Sequence, residues 1–500
     1  MESSESYAAP ALEHIGHMAR AGAGWAVCLL VARQVIGIVT TAVTARLVVP
    51  ADFGLIAMAA AFIQFLTLFD TGLKWSTVQA KTLNADHVTA LFWWGVAMGA
   101  GMWGISVLGG PVLAWFFNDK KLALICTIMG SGLLLSSVAS QPLALMKRQL
   151  RVRTVASIET FAVLLSGGVA IVSALAGWGY WALVAQSMTV LLARLVAAWS
   201  ITGFRPGWPT INGLVRTQEL LRFGSLLGAS NLVSYFQLYL DSILVGRFQG
   251  STELGFYSRV IYLKTLPSMY AVSALNDVMI PALSGLRGNI SRFAEAYRQT
   301  LKMVCLVVFP AGACLGIMGN EVVAILYGPQ WSAAVPMLRW QASAAMMLPV
   351  FHTGAWLLIA GGHGRAQFRL NVWLTCIAVA AYAIAVPYGA IGMSAANGLL
   401  FTAVLAPAFL WFAHRAVGIS FWVTVKDVWP ILLATLLATL AAAGTGTVAR
   451  CAGLGPFWES TAKLLVGGGF YTLLVWKTRC LPKSILIRID GLKKSLGLGT

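Results

Sequence analysis

Nine ionisable side chains interrupt the long apolar runs of this sequence. They are Arg33, Asp70, Glu159, Arg194, Asp241, Arg259, Lys264, Asp277 and Lys463. An ionisable group in the middle of a membrane span costs about 2.5–3.5 kcal/mol on insertion scales, so it usually faces a cavity or a partner. The chemistry available to these groups is the binding of a charged ligand, the pairing of opposite charges, or a response to a coupling ion.

The composition predicts that the elements carrying these charges lie in a lipid bilayer. Hydrophobic residues make up 58% of the 500 residues and charged residues only 10%, whereas a soluble protein has about a quarter charged residues. The apolar runs are continuous and of helix length, unlike the ten-residue alternation of a membrane barrel. We therefore predict an all-α polytopic membrane protein with about 14 transmembrane helices. No phosphate-binding loop or metal-ligand spacing occurs, and no catalytic residue is predicted.

The predicted spans can be counted from the apolar runs. They lie near residues 25–45, 53–72, 88–108, 121–141, 155–176, 180–201, 223–245, 254–280, 300–327, 335–360, 370–388, 391–412, 428–447 and 461–478. Only glycines mark the splits at 177–179 and 388–391.

The distribution of the +18 net charge predicts the orientation of these spans. If both termini lie on one side, that side carries 24 lysines and arginines and the other side carries six. Positive residues concentrate on the cytoplasmic side of membrane proteins. We therefore expect both termini to be cytoplasmic.

A weak internal repeat organises the chain. Residues 247–257 match residues 46–56 without a gap, which aligns Arg247 with Arg46, Glu253 with Asp52 and Gly255 with Gly54. Six predicted spans separate the copies, so they face the same way, as parallel repeats do. We predict two parallel six-helix repeats forming two lobes, followed by two C-terminal helices.

This architecture predicts six segments along the chain. They are a cytoplasmic N-terminal segment (1–24), an N-lobe with spans one to six (25–201), a cytoplasmic linker (202–222), a C-lobe with spans seven to twelve (223–412), two additional spans (428–478) and a basic cytoplasmic tail (479–500).

Six of the nine ionisable residues lie in predicted spans one, two, seven and eight, which are the first two spans of each repeat. In a transporter built from parallel repeats, these four spans can line one central cavity. For Arg33 and Lys264 we favour a cavity, whereas Arg259 has a second interpretation, an outward-snorkelling side chain. Asp70, Asp241 and Asp277 lie close enough to span ends that a structural role is an equal alternative to ion pairing, coupling or gating.

Pro267 removes a helix hydrogen bond three residues after Lys264 and is a candidate hinge, with an ordinary proline kink as the alternative. Glu159, Arg194 and Lys463 are predicted to be helix-packing or interface groups.

Several blocks of the sequence are similar to one known family. The blocks are residues 45–54, 68–73 and 78–79 (ARLVVPADFG, LFDTGL and VQ), then residues 241–247, 254–259, 281–284 and 327–331 (DSILVGR, LGFYSR, PALS and YGPQW). Together they resemble the polysaccharide-transport family of the multidrug/oligosaccharidyl-lipid/polysaccharide exporter superfamily over residues 20–415. The chain departs from the family pattern at Lys74-Trp75-Ser76, where small residues are usual.

The resemblance implies a flippase that works by alternating access. Its substrate would be a polyprenyl-pyrophosphate-linked oligosaccharide, moved across the bacterial inner membrane for surface polysaccharide assembly. Arg33, Arg259 and Lys264 would bind the pyrophosphate, because cations offset the cost of drawing an anion into low dielectric. Asp70, Asp241 or Asp277 would pair with these cations or respond to a coupling ion.

We expect a monomer without a cofactor that meets membrane lipids and polysaccharide assembly proteins but no nucleic acid. Coupling to a Na⁺ or H⁺ gradient is left open. One alternative is a cation-coupled multidrug antiporter of the same superfamily, which would favour acidic groups around its drug. A second is a membrane glycan polymerase or ligase, which would be expected to carry a large external loop.

Overall fold

The computed structural model describes residues 12–68, 85–149, 151–208, 218–453 and 456–477, and these ranges contain helices and no strand. The α-helices are α1 (Leu12–Leu47), α2 (Pro50–Thr67), α3 (Ala85–Phe117), α4 (Lys121–Arg148), α5 (Val152–Leu175), α6 (Tyr180–Thr202), α7 (Gln218–Gly285), α8 (Ile290–Ile317), α9 (Gly319–Leu326), α10 (Ala334–Gly361), α11 (Gly364–Ala385), α12 (Gly389–Leu400), α13 (Ala406–Val417), α14 (Phe421–Cys451) and α15 (Pro456–Lys477). Short 3₁₀ turns occupy Pro329–Trp331 and Val386–Tyr388, and a π-helical stretch, Phe401–Leu405, joins α12 to α13. The all-α prediction is confirmed.

Ten stretches of the described residues are long and apolar enough to cross a membrane, and one of them, Gly364–Val417, includes α11, α12 and α13. The chain is a multi-pass membrane protein. The two least marked splits between predicted spans occur at their glycines. Gly177 (φ 77°) and Gly179 (φ 56°) separate α5 from α6, and Gly389 (φ 73°) lies at the start of α12. These positive φ angles are readily adopted by glycine, which has no Cβ.

Three helix boundaries differ from the predicted ones. The turn predicted between spans seven and eight is reduced to one non-helical residue, Gly250 (φ 86°, ψ −176°), inside α7. The span predicted over 300–327 ends at Ile317, because Met318 leaves helical geometry (φ −97°, ψ 23°) and α9 begins anew at Gly319. The N-terminal segment predicted over 1–24 is helical from Leu12 onward.

The chain forms two compact units, whose boundary falls inside α7. The first contains the residues up to Gly255 together with Leu326–Gln330. In it α1 packs on α5, α5 on α6, and α3 on α4. Small residues allow these close approaches. A Cβ added at Gly99 would lie 2.8 Å from the Ser137 Cβ, and one at Gly110 would lie 2.9 Å from the Ala123 carbonyl oxygen.

A reciprocal glycine contact in the first unit joins the two copies of the repeat. A Cβ at Gly54 would overlap the carbonyl oxygen of Ser251, and a Cβ at Gly255 would overlap the carbonyl oxygen of Pro50. The ungapped repeat alignment pairs Gly54 with Gly255 and Pro50 with Ser251, so each contact is the counterpart of the other. Such an exchange of matched positions is what a two-fold relation between the copies produces.

The second unit contains Phe256–Ile325 and the residues from Trp331 onward. Here α8 packs on α10 and α14, α10 on α12 and α13, and α14 on α15. Trp331, Trp356 and Tyr297 are fully buried, and the Tyr297 hydroxyl lies 3.2 Å from the Thr353 hydroxyl. The two units are defined by packing alone. The six segments predicted from the sequence, including the linker at 202–222, stay predictions.

Ion pairs attach the two C-terminal helices to the rest of the second unit. On α14, Asp427 lies 3.0 Å from Lys302 and 3.7 Å from Arg298, both on α8. On α15, the Lys463 ammonium lies 2.6 Å from a carboxylate oxygen of Glu321 on α9 and 2.7 Å from one of Glu459. The Lys463 side chain is only 6% exposed, so it is a buried charge held by two carboxylates. This position agrees with the predicted packing role of Lys463.

We expect Gly54→Ala and Gly255→Ala each to lower the stability of the protein by about 2 kcal/mol, because the new methyl group overlaps a backbone carbonyl that has little freedom to move. The thermal unfolding midpoint in detergent measures this. Gly101→Ala on α3 is the matched control, since no atom lies within 4 Å of its added Cβ. Equal midpoints for the Gly54 and Gly101 variants would contradict the close approach.

We expect Lys463→Met to lower the free energy of unfolding by about 3 kcal/mol, because it leaves Glu321 and Glu459 as neighbouring, mostly enclosed carboxylates without the Lys463 cation. The triple variant that adds Glu321→Gln and Glu459→Gln should recover most of this loss, as measured by thermal or denaturant unfolding. Glu295→Gln is the comparison, since Glu295 is 41% exposed in its pair with Arg298 and an exposed pair contributes little. A triple variant no more stable than Lys463→Met would reject this interpretation.

Candidate functional site

Arg33 lies in a three-residue charge cluster within the first unit. Its guanidinium is 3.7 Å from a carboxylate oxygen of Glu159 on α5. The same oxygen lies 2.6 Å from the guanidinium of Arg194 on α6. Two positive charges therefore share one negative charge, which leaves the cluster with a surplus of one positive charge. We call Arg33, Glu159 and Arg194 the arginine–glutamate cluster.

Close packing of α1 against α5 brings this cluster together. The Thr160 hydroxyl donates a hydrogen bond to the Leu29 carbonyl oxygen at 3.3 Å. Further along the same pair of helices, a Cβ at Gly167 would overlap the Thr40 hydroxyl. One turn of α1 separates Leu29 from Arg33, and Glu159 precedes Thr160. The two backbones are therefore held side by side where the charges meet.

The cluster lies at a single depth along its three helices. At 1.5 Å per residue, Arg33 is about 21 Å from the end of α1 at Leu47, Glu159 is about 24 Å from the end of α5 at Leu175, and Arg194 is about 21 Å from the start of α6 at Tyr180. The sequence analysis predicts a packing or interface role for Glu159 and Arg194 and no contact with Arg33. Their shared depth is the one signal in the sequence that could have connected the three residues.

Lys264 belongs to a polar chain in the second unit. Its ammonium donates to the side-chain oxygen of Asn397 on α12 at 3.1 Å, and the Asn397 amide donates to the Tyr382 hydroxyl on α11 at 2.8 Å. Asn397 is 6% exposed, and Tyr382 is also buried. Three helices thus hold Lys264 in place through neutral groups. The sequence does not single out Asn397 and Tyr382, because neither side chain is charged at neutral pH.

Arg259 and Lys264 do not share a face of α7. Five residues separate them, which places their side chains about 140° apart around the helix axis. The Arg259 guanidinium lies over the ring of Tyr262, 5.6 Å from its centre, a cation–π arrangement. Arg33 belongs to the first unit. That Arg33 shares one substrate site with Arg259 and Lys264 stays a prediction.

The remaining predicted site residues have varied surroundings. Asp241 is 3% exposed, and its carboxylate accepts a hydrogen bond from the Ser242 backbone N–H at 2.6 Å. Pro267 lies inside α7, where Gly250 is the residue with non-helical angles, and its hinge role stays a prediction. Asp70 and the side chain of Asp277 lie outside the described part of the chain, so their coupling or gating roles also stay predictions.

Comparisons with known proteins point to one family and one fold. The lipopolysaccharide biosynthesis protein WzxC of Escherichia coli (strain K12) is 25% identical over 419 residues, covering 80% of this chain and 83% of its own. The succinoglycan biosynthesis transport protein ExoT of Rhizobium meliloti (strain 1021) is 25% identical over 399 residues, covering 79% of both chains. These proteins confirm the resemblance stated from the sequence blocks.

The inward closed conformation of the lipid II flippase MurJ superposes with a TM-score of 0.71 at 12% identity, covering 91% of this chain and 99% of that one. At this identity the similarity shows a shared fold. Residues 43–336 match the family described as polysaccharide biosynthesis protein. Because this match covers more than half of the sequence, the chain belongs to the polysaccharide biosynthesis protein family.

Proposed function

We propose that this protein is a flippase that moves a polyprenyl-pyrophosphate-linked oligosaccharide across the bacterial inner membrane by alternating access, for surface polysaccharide assembly. It is a transporter and not an enzyme. The observation that carries the proposal is the surplus positive charge of the arginine–glutamate cluster at membrane depth, where Arg33 and Arg194 share a single carboxylate.

Surplus cations at this depth suit an anionic headgroup. A pyrophosphate entering low dielectric loses its hydration, and fixed guanidinium and ammonium groups replace that hydration with charge-assisted hydrogen bonds. A cationic drug would meet repulsion from the same groups. The sign of the charge therefore favours the lipid-linked oligosaccharide over the substrate of a multidrug antiporter. The names of WzxC, ExoT and MurJ support a carrier role in glycan assembly.

The proposed orientation has both termini in the cytoplasm, supported by the excess of lysine and arginine on that side. The turns that carry Gly54 and Gly255 would then lie on the external side. On the same side the Gln330 side-chain amide donates to the Ala45 carbonyl oxygen at 2.6 Å. The proposed partners are the lipid-linked substrate, membrane lipids and polysaccharide assembly proteins, and the proposed state is a monomer.

We expect Arg33→Ala and Lys264→Ala each to slow translocation about tenfold or more, because each removes a charge-assisted hydrogen bond to the pyrophosphate. The double variant should lose export. The measurement is flipping of a fluorescent lipid-linked oligosaccharide in proteoliposomes, together with surface polysaccharide and lipid-linked precursor in cells. We expect the precursor to accumulate.

Arg365→Ala is the control, since it removes an exposed arginine at the start of α11 and should leave export normal. The amount of each variant in the membrane is measured alongside. Normal export by a stably inserted double variant would remove Arg33 and Lys264 from the mechanism. Transport of a cationic drug by the wild type, with no movement of the lipid-linked oligosaccharide, would favour the multidrug alternative.

A further inference from the structure

We infer that Glu159 is the counter-ion of Arg33 in the absence of substrate, and that an anionic headgroup replaces the Glu159 carboxylate as the partner of Arg33. Arg194 keeps Glu159 paired during this exchange. The inference rests on the proposed function and adds two residues to it. Glu159 and Arg194 are positioning residues, because they act on the substrate through Arg33. The ligand class is a phosphate or pyrophosphate monoester or diester, here the pyrophosphate of the lipid carrier.

The two ion pairs of the arginine–glutamate cluster are unequal. The Arg194–Glu159 distance is 2.6 Å, that of a short charge-assisted hydrogen bond, whereas the Arg33–Glu159 distance is 3.7 Å. Arg33 is therefore the loosely held partner. The side chains of Arg33 and Arg194 are equally exposed, 31% and 32%, so the longer distance to Glu159, and not exposure, makes Arg33 the arginine that an incoming anion can take over.

The exchange leaves no charge without a partner. Before binding, Glu159 serves both arginines. After binding, the anion pairs with Arg33 and Glu159 stays with Arg194. A charge without a partner at membrane depth is costly, so a cluster that keeps every charge paired in both states avoids that cost at each step. If Arg194 were neutral, release of Arg33 would leave Glu159 as an isolated carboxylate. Arg194 thus makes the release of Arg33 feasible.

The retained carboxylate also limits how tightly the anion binds. Glu159 stays near Arg33 and repels a bound pyrophosphate, which lowers affinity. A carrier must bind its substrate on one side and release it on the other, and an affinity that is too high slows release. The depth of the cluster fits entry from the cytoplasmic leaflet, because all three residues lie about 21–24 Å from the external ends of their helices in the proposed orientation.

The alternative interpretation is an ion-pair cluster that only holds α1, α5 and α6 together. The two interpretations predict different changes in anion affinity when Glu159 loses its charge. Loss of a purely structural carboxylate leaves anion binding unchanged or weakens it through misfolding. Loss of a competing carboxylate tightens anion binding, because Arg33 no longer has an internal partner.

The test measures the affinity of the full-length protein in nanodiscs for inorganic pyrophosphate and for polyprenyl pyrophosphate, by calorimetric titration. We expect Glu159→Gln to bind both about fivefold more tightly and to flip the lipid-linked oligosaccharide more slowly. Glu159→Asp keeps the charge and should remain near the wild type. Glu321→Gln removes a carboxylate from the second unit and should leave both affinities unchanged, which controls for the change in net charge.

Arg194→Gln provides a second, independent arm. Glu159 should then pair fully with Arg33, so pyrophosphate affinity should fall about fivefold. Adding Glu159→Gln to this variant should remove the loss. This arm also decides the question if Glu159→Gln folds poorly, as judged by its thermal unfolding midpoint.

Unchanged or weaker pyrophosphate binding by a folded Glu159→Gln variant, or normal affinity in Arg194→Gln, would overturn the inference. Failure of the proposed function would look different. In that case the wild type itself would not move the lipid-linked oligosaccharide in proteoliposomes, whatever the affinities of the variants.

Discussion

The high cost of an uncompensated charge in hydrocarbon is the constraint on which this structure depends. The described ionisable groups inside its helices reduce this cost through different contacts. Lys463 is enclosed by two carboxylates, Lys264 donates to a buried amide, and Arg259 lies over an aromatic ring. In the arginine–glutamate cluster one carboxylate serves two guanidinium groups. The balance of positive and negative charge within a cluster separates the structural site around Lys463 from the candidate functional site around Arg33.

The cluster around Lys463 and the cluster around Arg33 have opposite balances. Two carboxylates and one ammonium form a nearly closed group that joins α15 to α9. Two guanidinium groups and one carboxylate form a more open group with spare positive charge. Stability needs the first arrangement, because every group is enclosed. Binding of an anion needs the second, because a cation must be available to an incoming ligand without leaving its former partner exposed.

Backbone contact between the two copies of the repeat is a second constraint. Gly54 and Gly255 bring matched turns so close that any side chain would overlap a carbonyl oxygen. In a membrane there is little hydrophobic driving force between helices, so packing of this kind supplies much of the association energy.

The sequence by itself determined the fold class, the repeat register and the positions of the buried charges along the helices. These follow from local properties, since apolar run length reports spans and a residue's number within a helix reports its depth. Only the tertiary structure decided which charges meet. Glu159, the partner that Arg33 and Arg194 share, lies on α5, more than 120 residues after Arg33, and Asn397 lies more than 130 residues after Lys264. The rotation of each helix about its axis and its choice of neighbours depend on packing throughout the unit, which no local pattern encodes.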